Sequence, residues 1–276
     1  MVRDSNFMNS LLPPLVDSHC HLPLIERHLD DVLETASAQG VSHMLCVSVD
    51  LPSFPGVLAL AHRYPHIFAS VGVHPDSPVQ ADEPDVATLV ALAADPHIVA
   101  IGETGLDYYR SSGDLSYQHR RFRTHIAAAV ACGKPLIVHT REAAADTIRL
   151  LREEGAERIG GVMHCFVEDW ATAAAAMDLG FYISFSGIVT FKNATALQAV
   201  AREVPLERLL VETDAPWLAP VPKRGKPNEP AFVRHTAAFL AQLRGEDEPD
   251  LANATTRNFF ELFRSALPAQ SFSGRT

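Results

Sequence analysis

Short apolar runs rich in Val and Ile recur along the chain at 14–19, 43–49, 67–73, 97–103, 135–139, 160–165, 181–186 and 208–213. They lack the period-two alternation of a strand with one solvated face, and continuous apolar runs of this length are how strands buried on both faces read. Stretches with helical spacing separate them. Phe122, Ile126 and Val130 recur every four residues in HRRFRTHIAAAVACG, and Gly133 is placed to stop that helix. A second helix runs from Glu142 through Ile148 and Leu151 to Gly155. A third runs from an Asp169 N-cap to Gly180, and KNATALQAVAREV makes a fourth. Two closing helices are expected around 230–243 and 248–264. Strand then helix, eight times over, predicts an α/β fold of the (β/α)8 TIM barrel type. The competing architecture, an open doubly wound sheet, normally carries a glycine-rich turn after its first strand, where this chain has DSHCHL. No linker or low-complexity segment interrupts the pattern. Residues 1–276 therefore read as a single domain with its core at about 14–265 and frayed termini. The longest loops, 74–86, 104–117 and the proline-rich 215–230, are expected to wall the barrel mouth.

Metal-ligating residues stand where the apolar runs end. His19 and His21 follow LVD, Glu103 ends IVAIGE, His139 ends PLIVH, His164 ends GVMH, and Asp214 ends RLLVETD. A parallel barrel gathers the carboxyl ends of its strands at one mouth, so residues remote in sequence become neighbours there. His19 and His21, two apart on one strand, point to the same side. An acid directly after an Ile-Gly strand end is costly to bury unless it is paired or bound to a cation. Six ligands exceed the three plus water of one catalytic zinc. They suit two ions about 3.5–4 Å apart that share a bridging carboxylate. Glu103, from a middle strand, is the natural bridge. Lys134 precedes strand five instead of ending it, so it reads as a solvated loop residue and not as a bridging group. Four imidazoles with two carboxylates suit zinc, manganese, nickel or iron, and magnesium less well.

Composition narrows the partners. The chain is 47% hydrophobic and 20% charged, with a formal charge of −10, which argues against non-specific coating of polyanions and leaves only local nucleic-acid contacts. Cys20, Cys46, Cys132 and Cys165 form no C-x-x-C pair, as expected of reduced thiols in a cytoplasmic protein. Cys20 and Cys165 adjoin proposed ligands but should point away from them and pack as small buried residues. No apolar window approaches the length of a membrane span, and no secretion signal or obligate protein partner is evident.

Several segments then match in combination: DSHCHL (17–22), VGVHP (71–75), IGETGLDYY (101–109), PLIVHTREA (135–143), HCF (164–166), SFSGIVTFKNA (184–194), VETDAPWL (211–218) and RGKPNEP (224–230). Together they resemble the TatD family of metal-dependent deoxyribonucleases, within the amidohydrolase-like barrels. The resemblance implies a barrel with two divalent ions at its carboxyl end, held by the same six residues, and it places His74 in the site as a substrate contact. The family's last-loop segment often reads RGKRNEP; Pro227 here removes one positive charge.

The expected reaction is metal-assisted hydrolysis of DNA phosphodiester bonds, exonucleolytic on single strands. His19, His21 and Asp214 would hold one ion and His139 and His164 the other, bridged by Glu103. Asp214 is either a simple ligand or also the base that takes the water proton. Asp17 either orients a ligand histidine or makes a structural hydrogen bond. Arg110, Arg141, Lys223, Arg224 and Lys226 are phosphate-contact candidates, Tyr108 and Tyr109 are candidates for base stacking, and Trp217 is expected to pack within its loop. The alternative is an amide or ester hydrolase, such as an aminoacyl-tRNA deacylase, with the same ligands.

Overall fold

The computed structural model describes residues 12–79 and 83–266; the expected fraying of the extreme termini lies outside these residues. Eight strands, β1 (Leu15–Cys20), β2 (Val41–Cys46), β3 (Ile67–Val71), β4 (Ile98–Asp107), β5 (Leu136–Arg141), β6 (Gly161–Met163), β7 (Phe181–Phe185) and β8 (Leu209–Val211), pair in parallel in sequence order. β1 and β8 meet through a bridge between Cys20 and Ala215. Two hydrogen bonds hold that seam: Asp214 N donates to His19 O (2.9 Å) and His21 N to Ala215 O (2.8 Å). The result is a nearly closed (β/α)8 barrel.

Helices α1 (Leu29–Ala38), α2 (Phe54–Arg63), α3 (Val86–Leu92), α4 (Ser116–Cys132), α5 (Ala144–Glu153), α6 (Trp170–Asp178), α7 (Thr195–Glu203), α8 (Val233–Arg244) and α9 (Glu248–Leu262) surround it. Their ends follow local chemistry. Gly133 takes φ 68° to stop α4, and the Asp169 carboxylate caps α6 by accepting from Thr172 N. No helix among the described residues is long and apolar enough to cross a membrane.

Several strand boundaries differ from the sequence reading, and three of them bear on the site. β4 runs on to Asp107, because residues 104–107 pair with 138–141 of β5 after an irregularity between Ile101 and Thr104. Glu103 therefore lies inside a strand and not at its end, and the loop expected at 104–117 begins later. Such an irregularity re-aims the side chain that sits on it. β6 and β8 are only three residues long, so His164 and Asp214 stand one and three positions beyond their strands. Lys134 is also not a free loop residue. Its ammonium donates to the carbonyls of Ala93, Asp95 and Ile98 and ties the end of α3 to the start of β4.

The strand residues divide into two apolar sets. Leu15, Met44, Ile67, Leu136, Met163, Phe181 and Leu209 pack outward against the helices. Val16, Leu45, Phe68, Val99, Ile137, Val162, Tyr182 and Leu210 form an inner layer, closed from below by Phe259 and Phe263 at the end of α9. Two residues further along the same strands, the inner face turns polar at Ser18, Ser70, His139, His164, Ser184 and Glu212. The strand period of two carries each position from floor to mouth.

Candidate metal centre

The six residues that end the apolar runs converge at the mouth, with Glu103 between two groups of imidazoles. Its Oε2 faces His19 Nε2 at 3.3 Å and His21 Nε2 at 3.8 Å. Its Oε1 faces His164 Nε2 at 2.8 Å, His139 Nδ1 at 3.2 Å and His74 Nε2 at 3.4 Å. Asp214 Oδ1 completes the first group, 3.4 Å from His21 Nε2 and 3.8 Å from His19 Nε2. The left-handed backbone at Asp214 (φ 55°), tolerated by a short polar side chain, turns this carboxylate into the cavity. The two Nε2 atoms of His19 and His21 are 3.2 Å apart. Donor atoms at these separations fit ligands that share an ion at about 2.0–2.2 Å. The buried Nδ1 of His19 has no hydrogen-bond partner, so that ring is held by packing and by what its Nε2 meets.

An outer ring of acceptors fixes which nitrogen faces inward. His21 Nδ1 lies 3.1 Å from Val47 O, and His139 Nε2 lies 3.1 Å from Asp107 Oδ2. Each contact spends one ring N–H and leaves the other nitrogen's lone pair toward the centre. His164 Nδ1 faces Glu212 Oε1 at 3.4 Å without a well-formed hydrogen bond. That carboxylate is itself held by Cys165 N (2.8 Å) and the Ser184 hydroxyl (2.6 Å). His74 is oriented the other way. Its Nδ1 accepts from Asp76 N at 3.0 Å, so its Nε2 carries the proton and presents an N–H to Glu103. His74 is thus set up as a donor, in contrast to the ligand tautomers around it.

The electrostatics follow the same layout. Burial opposes ionisation of Glu103, but His164 and the bonds from His139 and His164 outweigh it and hold the carboxyl well below its ordinary range. Burial also opposes charge on His164, yet Glu103 and then Glu212 raise it well above the ordinary value. Asp214 is lowered against burial by its bond with His21 and the charges of His19 and His21. Asp107 is lowered to about 2, again against burial, by His139 and by the N–H of Arg110. Burial pushes His74 down to about 3 and keeps it neutral. The anions here are balanced by protons on imidazoles, and a divalent cation that displaces those protons meets a prepared set of N and O donors.

The centre opens into a cavity of 530 Å³ whose wall includes Arg110, Arg141, Val167, Trp217 and Leu218. Arg141 lies over the Tyr109 ring at 3.9 Å, and Tyr109 is 60% exposed. Trp217 does not pack away within its loop as expected. It is half exposed and meets His21 edge-on at 5.3 Å. Lys223, Arg224 and Lys226 do not line the cavity. Arg224 lies over the Phe191 ring and Lys223 over the Phe232 ring. That loop is held instead by Asn228, whose amide donates to the carbonyls of Thr213 and Trp217. Tyr108 bonds Asp146 (2.7 Å) and His119 (2.6 Å) beside the barrel. Asp17 touches no histidine ring; it accepts from Thr213 N (2.8 Å) and Oγ1 (2.6 Å), and burial pushes it up to about 8. Cys20 packs with its thiol toward Leu45 O, whereas Cys165 reaches the cavity wall.

Asp107 and Glu212 escaped the sequence reading. The cue was present in both: each is an acid within or directly after an apolar run, the same cost of burial that singled out Glu103.

A sequence profile for TatD-related DNases matches residues 16–264. Over 254 residues the chain is 50% identical to YcfH, an uncharacterized metal-dependent hydrolase of Escherichia coli K12, covering 90% of this chain and 95% of that protein. It is 36% identical over 241 residues to TatD of Edwardsiella piscicida, a 3'-5' ssDNA/RNA exonuclease, covering 85% and 93%. Among solved structures, the TatD homologue YJJV of E. coli K12 superposes with a TM-score of 0.82 at 29% identity, covering 92% of this chain and 98% of that one.

Proposed function

The chain belongs to the TatD-related DNase family of metal-dependent hydrolases, and from that premise we propose that it removes nucleotides from the end of a single-stranded nucleic acid, DNA in the first instance, at a dinuclear centre. The observation that carries the reading is Glu103, whose two oxygens face two separate sets of imidazoles. His19, His21 and Asp214 would hold one divalent ion, His139 and His164 a second, and Glu103 both. Bound there, such ions supply Lewis acidity, lowering the pKa of the attacking water and polarising the phosphoryl group.

The remaining roles fall to the chain. Asp214, held ionised on the cavity wall, accepts the proton of the attacking water and returns it to the leaving oxygen. His74, neutral with its N–H directed inward, donates to a non-bridging phosphate oxygen. Arg110 and Arg141 offset the charge of the flanking phosphate. The exposed faces of Tyr109 and Trp217 offer stacking surfaces to unpaired bases, each worth about 1–3 kcal/mol. Lys223, Arg224 and Lys226, outside the cavity, meet the strand further along its backbone. The nucleic-acid substrate is supported by the Edwardsiella relative and by this cationic and aromatic wall.

The test is turnover of end-labelled single-stranded DNA, single-stranded RNA and a panel of amides and esters by metal-reconstituted protein. Stepwise release of mononucleotides, absent in Glu103→Gln, is the expected result. Turnover of amides or esters with intact oligonucleotides would replace this reading with the amidohydrolase one.

A further inference from the structure

We propose that His62, Asp95 and His97 form a separate metal site on the amino-terminal face of the barrel, suited to zinc or another late first-row divalent cation. His62 lies in the last turn of α2; Asp95 and His97 flank Pro96 in the connection from α3 to β4. His97 directly precedes β4, and Glu103 comes six residues later, about 20 Å along a strand. The two clusters therefore sit at opposite ends of the barrel.

The Asp95 carboxylate stands between the two rings. His62 Nε2 is 2.8 Å from its Oδ2 and His97 Nδ1 is 3.2 Å from its Oδ1. One donor atom from each of the three residues lies within 4.8 Å of the other two. Ligands on a tetrahedral zinc are about 3.3 Å apart, given bonds of about 2.0–2.1 Å. Small side-chain rotations bring the three into that geometry, and the imidazoles, 49% and 40% exposed, are free to make them.

The carboxylate is already positioned by the backbone. Its Oδ1 accepts from His97 N at 2.9 Å, and Lys134 Nζ holds the Asp95 carbonyl at 3.3 Å. Two imidazoles and one carboxylate favour zinc, nickel or copper over magnesium or calcium. The partial exposure leaves room for water as a fourth ligand. Residues at this face of a TIM barrel serve stability and not chemistry. A metal here would clip α2 to the connection before β4 and stabilise the fold by mass action.

The experiment counts zinc on metal-stripped full-length protein by equilibrium dialysis and elemental analysis, with thermal melts alongside. Asp95→Asn keeps an oxygen to accept the His97 N–H while removing the charge; His62→Gln leaves the 95–97 connection intact. The parent should bind one zinc per chain more than either variant, with at least tenfold weaker zinc binding at this site in the variants. The zinc-induced rise in Tm should shrink in both, and activity at saturating metal should not change. Glu103→Gln, which alters the mouth alone, should keep this extra ion. If parent, Asp95→Asn and His62→Gln bind equal numbers of zinc ions and gain equally in Tm, the three residues are a hydrogen-bonded surface triad and the proposal falls.

Discussion

The two ends of the barrel interior are built on the same strands, two residues apart, and they obey opposite rules. At the floor, Val16, Leu45, Phe68, Ile137, Val162 and Leu210 meet Phe259 and Phe263 in an apolar layer. At the mouth, Ser18, Ser70, His139, His164 and Glu212 succeed Val16, Phe68, Ile137, Val162 and Leu210, and Ser184 succeeds Tyr182, whereas Leu45 is followed by the apolar Val47. The floor gains free energy with each apolar group it buries. The mouth buries carboxylates and imidazoles, including a His19 Nδ1 with no partner, and each such group costs stability unless something pairs it. Stability is concentrated at one end and chemistry at the other, so the floor can carry a mouth that is poorly satisfied without a cation.

The sharpest way to break this division is Glu103→Gln. We expect hydrolysis to fall by on the order of 10³-fold or more, about 4 kcal/mol in the barrier, with lower metal content and an unchanged far-UV CD spectrum. Loss of the fold in this variant would make Glu103 structural and erase the contrast. Phe259→Ala probes the opposite end. It removes a fully buried ring, and urea denaturation should show a loss of about 3–5 kcal/mol. At a temperature well below its melting point, its activity per folded molecule should match the parent.

Acidity should also separate the ends, because the floor layer is built of apolar side chains and the Tyr182 ring, whereas the mouth carries imidazoles and carboxylates. His125, in α4, accepts from Val73 N at 3.0 Å and so holds the approach to His74. Burial pushes it from 6.5 down to about 4. The unfolded chain therefore takes up this proton first as pH falls. The contribution is whole above pH 6.5 and is lost between 6.5 and about 4, amounting to about 3 kcal/mol. Stability of His125→Gln should depend less steeply on pH across that window; equal slopes would assign the acid sensitivity elsewhere. The smallest effect is expected from Asp107→Asn. This variant keeps the size of the side chain facing His139 Nε2 but removes its charge, and metal affinity at the mouth should drop about 10–100-fold with little change in melting temperature.

The barrel was legible because strands buried on both faces write themselves as unbroken Val/Ile runs, and because Gly133 and Asp169 mark helix ends by local rules. The positions of His139, His164 and Asp214 followed from the same runs. The extent of β4 did not, because residues 104–107 are strand only through pairing with 138–141 of β5, a tertiary fact. The inverted tautomer of His74 also lay beyond sequence, since it depends on one backbone N–H two residues away. Trp217 was misplaced for a related reason: an indole after Ala-Pro looks the same in sequence whether it turns inward to pack or outward toward His21. For Lys223, Arg224 and Lys226, sequence could place the cations on the last loop but not say which side of that loop faces the cavity.

The seam between β1 and β8 gives the centre a place in time as well as in space. Its hydrogen bonds run between His19, His21, Asp214 and Ala215, so the end of the last strand to be synthesised brings the Asp214 carboxylate to the mouth and shuts the barrel in one step. On the ribosome, His21 waits for Asp214 for roughly 10–40 s at ordinary elongation rates. Until then the growing chain has neither a closed wall nor a complete set of donors. If the proposed centre is the active one, a chain cut short before its final strand should have no hydrolytic activity.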